Sequence, residues 1–499
     1  MPPRGIAAVA RHDPRRPAIV CGDRRDTFGD LDADANRWAH FFARAGVGHG
    51  DRVAVMLGNR PEVFAAWTGA ARLGALIVPV SYRFTASEVA YMVADSEAAA
   101  FVYDNEAVAL PAIEGIDTLH AAASVEDPEW RRLPTDPPER DFLGSPTIFM
   151  NYTSGTTGKP KGIARAWPVP AGENMAPQPF TELWGWRPDD VHLLCGPAYH
   201  TAPGNYALSH LLEGARVVIM PRFDADLCLS LIETERVTTS HMVPANFVRL
   251  LEVDWSSYDR TSVRKILHAA APCPVAVKRN VMEMFPPGSV WEYFGMSEGF
   301  VSLISPEQWL AKPGSVGPPM AGISIKILDG EGAELPPGEV GSIYVSALSG
   351  FRFEYHNAAD KTAATWRDDF FTVGDLGWLD EDGFLFIADR RVDLIISGGV
   401  NIYPAEIESV LAEHPEVVDS AVFGLPDEKM GQRVHALVEL RPGSTQREES
   451  LLAFMRERLA PFKLPRRIEL VDRLPREPSG KVLKRQLRDA RLEAIAPAP

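Results

Sequence analysis

Lysine is absent from the chain until Lys159, and arginine carries the basic charge up to that point. Cysteine is equally sparse, with Cys21, Cys195, Cys228 and Cys273 the only four in 499 residues. Their scattered spacing excludes a disulfide frame and a zinc site, and they read as reduced core residues. No basic run interrupts a net charge of −16, which argues against a nucleic-acid partner. No window holds enough uninterrupted apolar residues to cross a bilayer. The opening Met1-Pro2-Pro3-Arg4-Gly5-Ile6-Ala7-Ala8 holds no long apolar leader. The expectation is a cytoplasmic enzyme, with peripheral membrane contact left open. No internal repeat is visible. The composition as a whole is ordinary for a globular protein, 45% apolar and 24% charged, and the length suggests about three compact units.

Strand and helix signals alternate from the start. Helical spacing over 31–45 offers Leu31, Trp38, Phe41 and Phe42 to a core. Strands are expected at 52–57, 75–80 and 99–103, with helices opening near Asn59 and Pro61 and over 87–94. This alternation predicts an α/β layered domain. A Pro-rich surface loop is expected at 134–139. Helices follow at 206–212 and 247–251, and strands at 216–220 and 290–294. Short strands and Gly/Pro turns over 315–322 and 326–345 suggest a β-rich subdomain. After residue 393, strands at 417–423, 433–440 and 467–471 join helices opening at Pro404 and spanning 451–459. Residues 494–499 are expected to be disordered.

One stretch concentrates chemistry: Tyr152-Thr153-Ser154-Gly155-Thr156-Thr157-Gly158-Lys159-Pro160-Lys161-Gly162. Glycines let backbone N–H groups approach an anion closely. Four aliphatic hydroxyls and two ammonium groups can donate to phosphate oxygens. A Walker loop needs four residues between its glycines and a hydroxyl after the lysine. Here two residues separate Gly155 from Gly158, and Pro160 follows Lys159. The full string closely resembles the phosphate loop of the adenylate-forming superfamily, which takes in acyl-CoA synthetases, peptide-synthetase adenylation domains and firefly luciferase. Later motifs follow in that family's order, so the resemblance covers nearly the whole chain.

The resemblance implies a large layered αβαβα N-terminal domain with a β-rich subdomain over 1–389. A hinge at 390–393 and a small α+β C-terminal lid domain over 394–499 follow. It assigns the loop from Thr153 to Lys159 to ATP phosphates. In Tyr293-Phe294-Gly295-Met296-Ser297-Glu298, Phe294 would stack on adenine beside Gly295, Ser297 would touch phosphate, and Glu298 would hold Mg2+. As a bare string that motif could cap any helix. Ser297 stands where the family has threonine and keeps the hydroxyl. Asp375 would take both ribose hydroxyls, although Val373 replaces a usual threonine. Arg390 would contact ribose, and Val392 falls on the hinge position, where aspartate or lysine is commoner. Gly398 and Gly399 would press against the pantetheine arm of CoA. Pro475 and Gly480-Lys481-Val482-Leu483-Lys484 match the family's catalytic-lysine motif, so the resemblance implies that Lys481 is catalytic.

His200 follows an aromatic at the border of the acyl site, where it would gate or orient the substrate. A histidine beside aromatics is also a common packing residue. His241 and Val243 would line the acyl pocket, with core packing an equal alternative. By resemblance, Ala270 and Ala271 would lie in a small-residue turn beside adenine that usually contains glycine and would line the acyl pocket, where their methyl groups add bulk. The resemblance thus implies an acyl-CoA synthetase using ATP, Mg2+ and CoA on a fatty, aromatic or fused-ring acid. A ligase loading a carrier protein, an enzyme specialised to one half-reaction, and a non-catalytic ATP binder are the alternatives. A homodimer is compatible with any of them.

Overall fold

The computed structural model describes residues 3–138, 149–153, 160–164, 179–346, 352–476 and 480–495. It contains two compact units: Met1–His241 with Tyr258–Ile266 and Ser349–Ala364, and Met242–Ser257 with Leu267–Leu348 and Thr365–Pro499.

In the first unit four parallel strands lie in the order Leu76–Pro79, Arg52–Met56, Ala100–Tyr103, Ala121–Ser124. The first three are buried almost throughout, as an apolar run in a parallel sheet covered on both faces must be. Helix Pro61–Arg72 opens on proline, whose missing N–H costs nothing in a first turn. Every one of its residues is buried, so it lies covered on all sides. Helix Phe28–Arg44 starts from a capping box between Thr27 and Asp30. It approaches Gly69 so closely that an added Cβ would stand 2.7 Å from the Ala35 carbonyl oxygen and 2.7 Å from the Trp38 Cβ.

A second sheet of this unit sets Val191–Leu194 between Arg216–Ile219 and Thr239–Met242, parallel to both. Pro17–Cys21 joins its edge and turns back through Arg24–Thr27. One core cluster takes Val55 and Ile77 from the first sheet, Leu194 and Ile219 from the second, and Phe64 and Trp67 from the helix between them. The expected alternating layers are therefore present. A short antiparallel sheet, Glu354–Tyr355, Lys161–Ala164 and Tyr152–Thr153, completes the unit.

The second unit contains an antiparallel sheet in the order Ser315–Gly317, Leu385–Arg390, Asp375–Leu379, Gly341–Ser346, Phe370–Phe371, Trp366–Arg367. Ile325–Leu328 pairs with Gly341–Ser346. Further along the chain, Val400–Ile402, Ile395–Ser397, Gly431–Leu440 and Val417–Asp427 form an antiparallel sheet in that order, and Arg467–Val471 adds in parallel to Gly431–Leu440. Val422 and Val438 face helices Pro404–Leu411 and Glu448–Arg456 through Ile407, Leu411, Leu451 and Met455. Phe423 and Leu437, one residue out of phase, face Leu487 of helix Lys484–Ile495. Period-two alternation thus feeds a helix layer on each face.

Several boundaries differ from expectation. The helix expected at 206–212 is Thr201–Leu212, because Pro203 is tolerated in a first turn and Gly204 lets the helix meet Trp67. The strand expected at 290–294 continues to Met296. The tail expected to be disordered begins inside helix Lys484–Ile495, while 496–499 lie outside the described residues. Cys195 and Cys228 are buried, but Cys21 and Cys273 are only half-buried.

Candidate active site

Strands Tyr152–Thr153 and Lys161–Ala164 pair with Thr153 opposite Lys161, so residues 154–160 connect two hydrogen-bonded partners. Ser154, Gly155, Thr156, Thr157, Gly158, Lys159 and the Thr153 side chain lie outside the described residues. The ends of the loop are pinned. Tyr152 Oη donates to Asp95 Oδ2 at 2.7 Å, and Tyr91 Oη donates to the Pro160 carbonyl at 3.0 Å. Burial and the Asp95 carboxylate push the Tyr152 hydroxyl far up, which keeps it a donor. Lys161 Nζ sits 5.1 Å from the Tyr355 ring centroid, a cation–π contact.

His200 is the N-cap of helix Thr201–Leu212, half-buried, with its ring 4.5 Å from Tyr199. Asn59 fixes the approach to it: Nδ2 donates to the Gly196 and Met220 carbonyls, and Oδ1 accepts from Ala198 N–H at 2.8 Å. Sequence reasoning noted Asn59 only as a helix opener. His241 is 3% exposed, and its ring lies 5.2 Å from Tyr206. Burial lowers its pKa to about 3, so it is neutral at physiological pH. It belongs with His192 and His210 to an interior group that sequence spacing did not reveal, since strand, helix and strand supply one each.

In the second unit, Phe294 and Gly295 lie within strand Val290–Met296, and Met296 pairs with Gly299. Ser297 and Glu298 therefore form a two-residue turn. Phe294, Met296, Phe371, Val373 and Asp375 line one shallow cleft. Two motifs about eighty residues apart in sequence thereby meet. Asp375 is 7% exposed and stands directly across the ladder from Arg390, whose Nε lies 3.4 Å from Asp375 Oδ1. Burial raises the Asp375 pKa, while Arg390 and then Lys481 pull it back.

Lys481 therefore lies within electrostatic reach of the aspartate. The preceding Gly480 has φ +84°, and an added Cβ there would stand 2.7 Å from Val243 Cγ2 and 3.0 Å from Ala245 Cβ. Arg476 donates to the Gly480 carbonyl and pairs with Asp419. Val243, Lys481, Asp375 and Arg390, drawn from four separate stretches, are thus brought together. Ala270 is exposed with φ +78°, a conformation that costs an alanine about 1–2 kcal/mol, and Ala271 beside it is half-buried. Val392 is 61% exposed. Gly398 and Gly399, with φ of +59° and +81°, form the turn between Ile395–Ser397 and Val400–Ile402, where Gly398 packs on Met430.

Glu298 is a buried carboxylate. Among the described residues no group of three or more His, Cys, Asp or Glu could hold a metal. One hard oxygen donor fits Mg2+ that takes its other ligands from nucleotide phosphates.

Residues 6–352 match the AMP-binding enzyme family model, and residues 406–481 match that of the AMP-binding enzyme C-terminal domain. The chain belongs to the AMP-binding enzyme family. This AMP-binding enzyme is 35% identical over 493 residues to the fatty acid–(acyl-carrier-protein) ligase ScoC of Streptomyces coeruleorubidus, covering 96% of this chain and 94% of the relative. It is 32% identical over 491 residues to the long-chain-fatty-acid–CoA ligase FadD13 of Mycobacterium tuberculosis, covering 94% and 93%. The structure of the o-succinylbenzoate CoA synthetase MenE of Bacillus subtilis with its acyl-adenylate intermediate superposes with a TM-score of 0.82 at 31% identity, over 98% of each chain. The AMP-binding enzyme is thus a member of the adenylate-forming superfamily, mixed α/β with a large N-terminal and a small C-terminal domain. It is an acid–thiol ligase, ATP-dependent and adenylate-forming. Among the described residues no helix is long and apolar enough to cross a membrane.

Proposed function

We propose that the enzyme is an acyl-CoA synthetase for a fatty or bulky aromatic acid. A carboxylate oxygen attacks the α-phosphorus of ATP, the bond to pyrophosphate breaks, and an acyl-adenylate forms. The CoA thiol then attacks the acyl carbon, and AMP leaves. The nucleophile of the first step is already an anion, so no general base is required. The step needs charge neutralisation and alignment.

The observation that carries this reading is the position of the Gly480–Lys481 turn. It rests on Val243 and Ala245, on the acyl side, and its ammonium is felt at Asp375, on the ribose side. Lys481 would bridge the acyl carboxylate and the α-phosphate. Asp375 and Arg390 would hold the ribose, Phe294 and Gly295 the base, and Ser297 a phosphate oxygen. The loop from Thr153 to Lys159 would hold the departing pyrophosphate. Glu298 would hold Mg2+, which when bound neutralises phosphate charge. His200 would orient the acid without acting as a base. Neutral His241 beside Tyr206 suits an uncharged acyl group, with Ala270 and Ala271 at the pocket edge.

For the second step the lid, residues 394–499, would turn about 390–393 near exposed Val392. Lys481 would leave, and the Gly398–Gly399 turn would meet the pantetheine arm. The 35% identity to a ligase named for an acyl carrier protein favours a second reading, in which a carrier's phosphopantetheine replaces CoA.

Dodecanoate, benzoate and 1-naphthoate, each with ATP and either CoA or a holo-carrier protein, separate the acceptors by thioester mass. With the acid turned over fastest, Lys481→Ala should abolish ATP–pyrophosphate exchange yet still form thioester from supplied acyl-adenylate. Loss of both half-reactions in a folded variant would overturn the assignment.

A further inference from the structure

Glu439 lies on strand Gly431–Leu440 and is 4% exposed. Its two oxygens serve two different parts of the chain. Oε1 accepts from Arg249 Nη1 at 3.1 Å, and Oε2 accepts from the Leu474 backbone N–H at 2.9 Å. Arg249 sits on helix Pro244–Leu250, the helix whose N-cap Val243 and first-turn Ala245 receive Gly480. Leu474 opens the run that leads to Lys481, and Arg476 then holds the Gly480 carbonyl. One buried carboxylate therefore ties both ends of the same contact: the helix that receives the lysine turn and the segment that delivers it.

We infer that Arg249 and Glu439 are positioning residues that dock the Lys481 loop in its adenylate-forming pose. This rests on the adenylation role given to Lys481 above. The pair touches neither nucleotide nor acid in that scheme and acts through the placement of Lys481 alone. The chemistry suits a reversible latch. A charge pair largely withdrawn from water is firm while both partners are present, but separation returns both charges to solvent, which recovers much of the lost Coulomb energy. Arg249 keeps a second partner, Glu252 Oε2 at 2.9 Å, when Glu439 departs. Weakening the latch should slow the first half-reaction and spare or speed the second, which a loss of folding cannot do.

The test uses the full chain and the panel acid turned over fastest. Glu439→Gln keeps an acceptor for the Leu474 N–H and removes the charge. Pyrophosphate exchange should fall about tenfold through kcat, with KM for ATP within about twofold. Thioester formation from supplied acyl-adenylate should be unchanged or faster. Arg249→Lys, which retains a cation, should recover most of the exchange, whereas Arg249→Gln should behave like Glu439→Gln. Wild-type exchange in Glu439→Gln, or an equal fall in both half-reactions, would overturn the inference while leaving the Lys481 assignment standing. Exchange surviving in Lys481→Ala would remove that assignment, and this inference with it.

Discussion

Lowering the pH from 7 to 5 will weaken the first compact unit, because three of its histidines cannot take up protons where they lie. His192, His210 and His241 are 0%, 0% and 3% exposed. The tautomers of His210 and His192 are fixed by the bonding. His210 Nδ1 faces the Tyr206 carbonyl at 2.7 Å and so carries the proton. His210 Nε2 then accepts from Thr239 Oγ1 at 2.9 Å, and Thr239 Oγ1 in turn accepts from His192 Nδ1 at 3.1 Å. Burial lowers His210 to about 4 and His241 to about 3, and holds His192 well below its ordinary value. The unfolded chain binds these protons below about pH 6.5. Stability is therefore complete above pH 6.5 and falls as the pH drops toward the folded values. At pH 5 each of His210 and His241 removes about 2 kcal/mol, about 4 for the two, and His192 acts in the same sense. Glu62 does not confuse this window. Burial alone would raise its pKa, but bonds from Arg60 and Arg24 lower it to about 2, so its contribution is lost only below its unfolded value of 4.5. Asp389, in the other unit, is raised to about 6 by burial, so its proton uptake stabilises that unit by about 1 kcal/mol over the same interval. Tryptophan fluorescence during urea unfolding reports directly, since the Trp186 ring lies 4.2 Å from His210. The midpoint should drop by roughly 1 M or more between pH 7 and pH 5, and the His210→Gln, His241→Asn double variant should flatten that slope. An unchanged wild-type midpoint, or an unchanged slope in the double variant, would refute the reasoning.

Two further outcomes concern stability. Ala270→Gly should stabilise by about 0.5–1 kcal/mol, because relief of the left-handed backbone outweighs the entropy that glycine adds to the unfolded chain; a lower urea midpoint would contradict this. Lys278 Nζ and Glu292 Oε2 form a buried pair at 2.5 Å. Glu292→Ala, which strands the ammonium, should cost about 3–5 kcal/mol in urea unfolding, whereas Lys278→Met with Glu292→Leu should recover most of it.

The layers and motif spacings were legible because they are local. The run from Ala75 to Val80 reads as a buried strand whatever surrounds it, and Asp375 announces itself by its neighbours in sequence. What escaped depends on distant partners. No pattern in sequence says that Gly69 must admit Ala35 and Trp38, that His192, His210 and His241 share one interior, or that Glu439 joins Arg249 to Leu474. The start of the helix at Thr201 escaped because Pro203, in its first turn, is equally compatible with an irregular turn. The alanines at 270 and 271 were read as added bulk; the positive φ at Ala270 is a property of the backbone that composition cannot express.

Asp375 and Arg390 occupy one rung of an antiparallel ladder, and the chain reverses between them through the turn around Asp380. Asp380 Oδ1 accepts from Asp382 and Phe384 N–H groups, and Lys312 pairs with its carboxylate. A strand slipped by one residue turns all its side chains to the opposite face. A one-residue slip of either strand, started at that distant bend, would thus break the Asp375–Arg390 rung and turn one of the two side chains to the opposite face. Length there is as tightly constrained as chemistry is at the carboxylate itself.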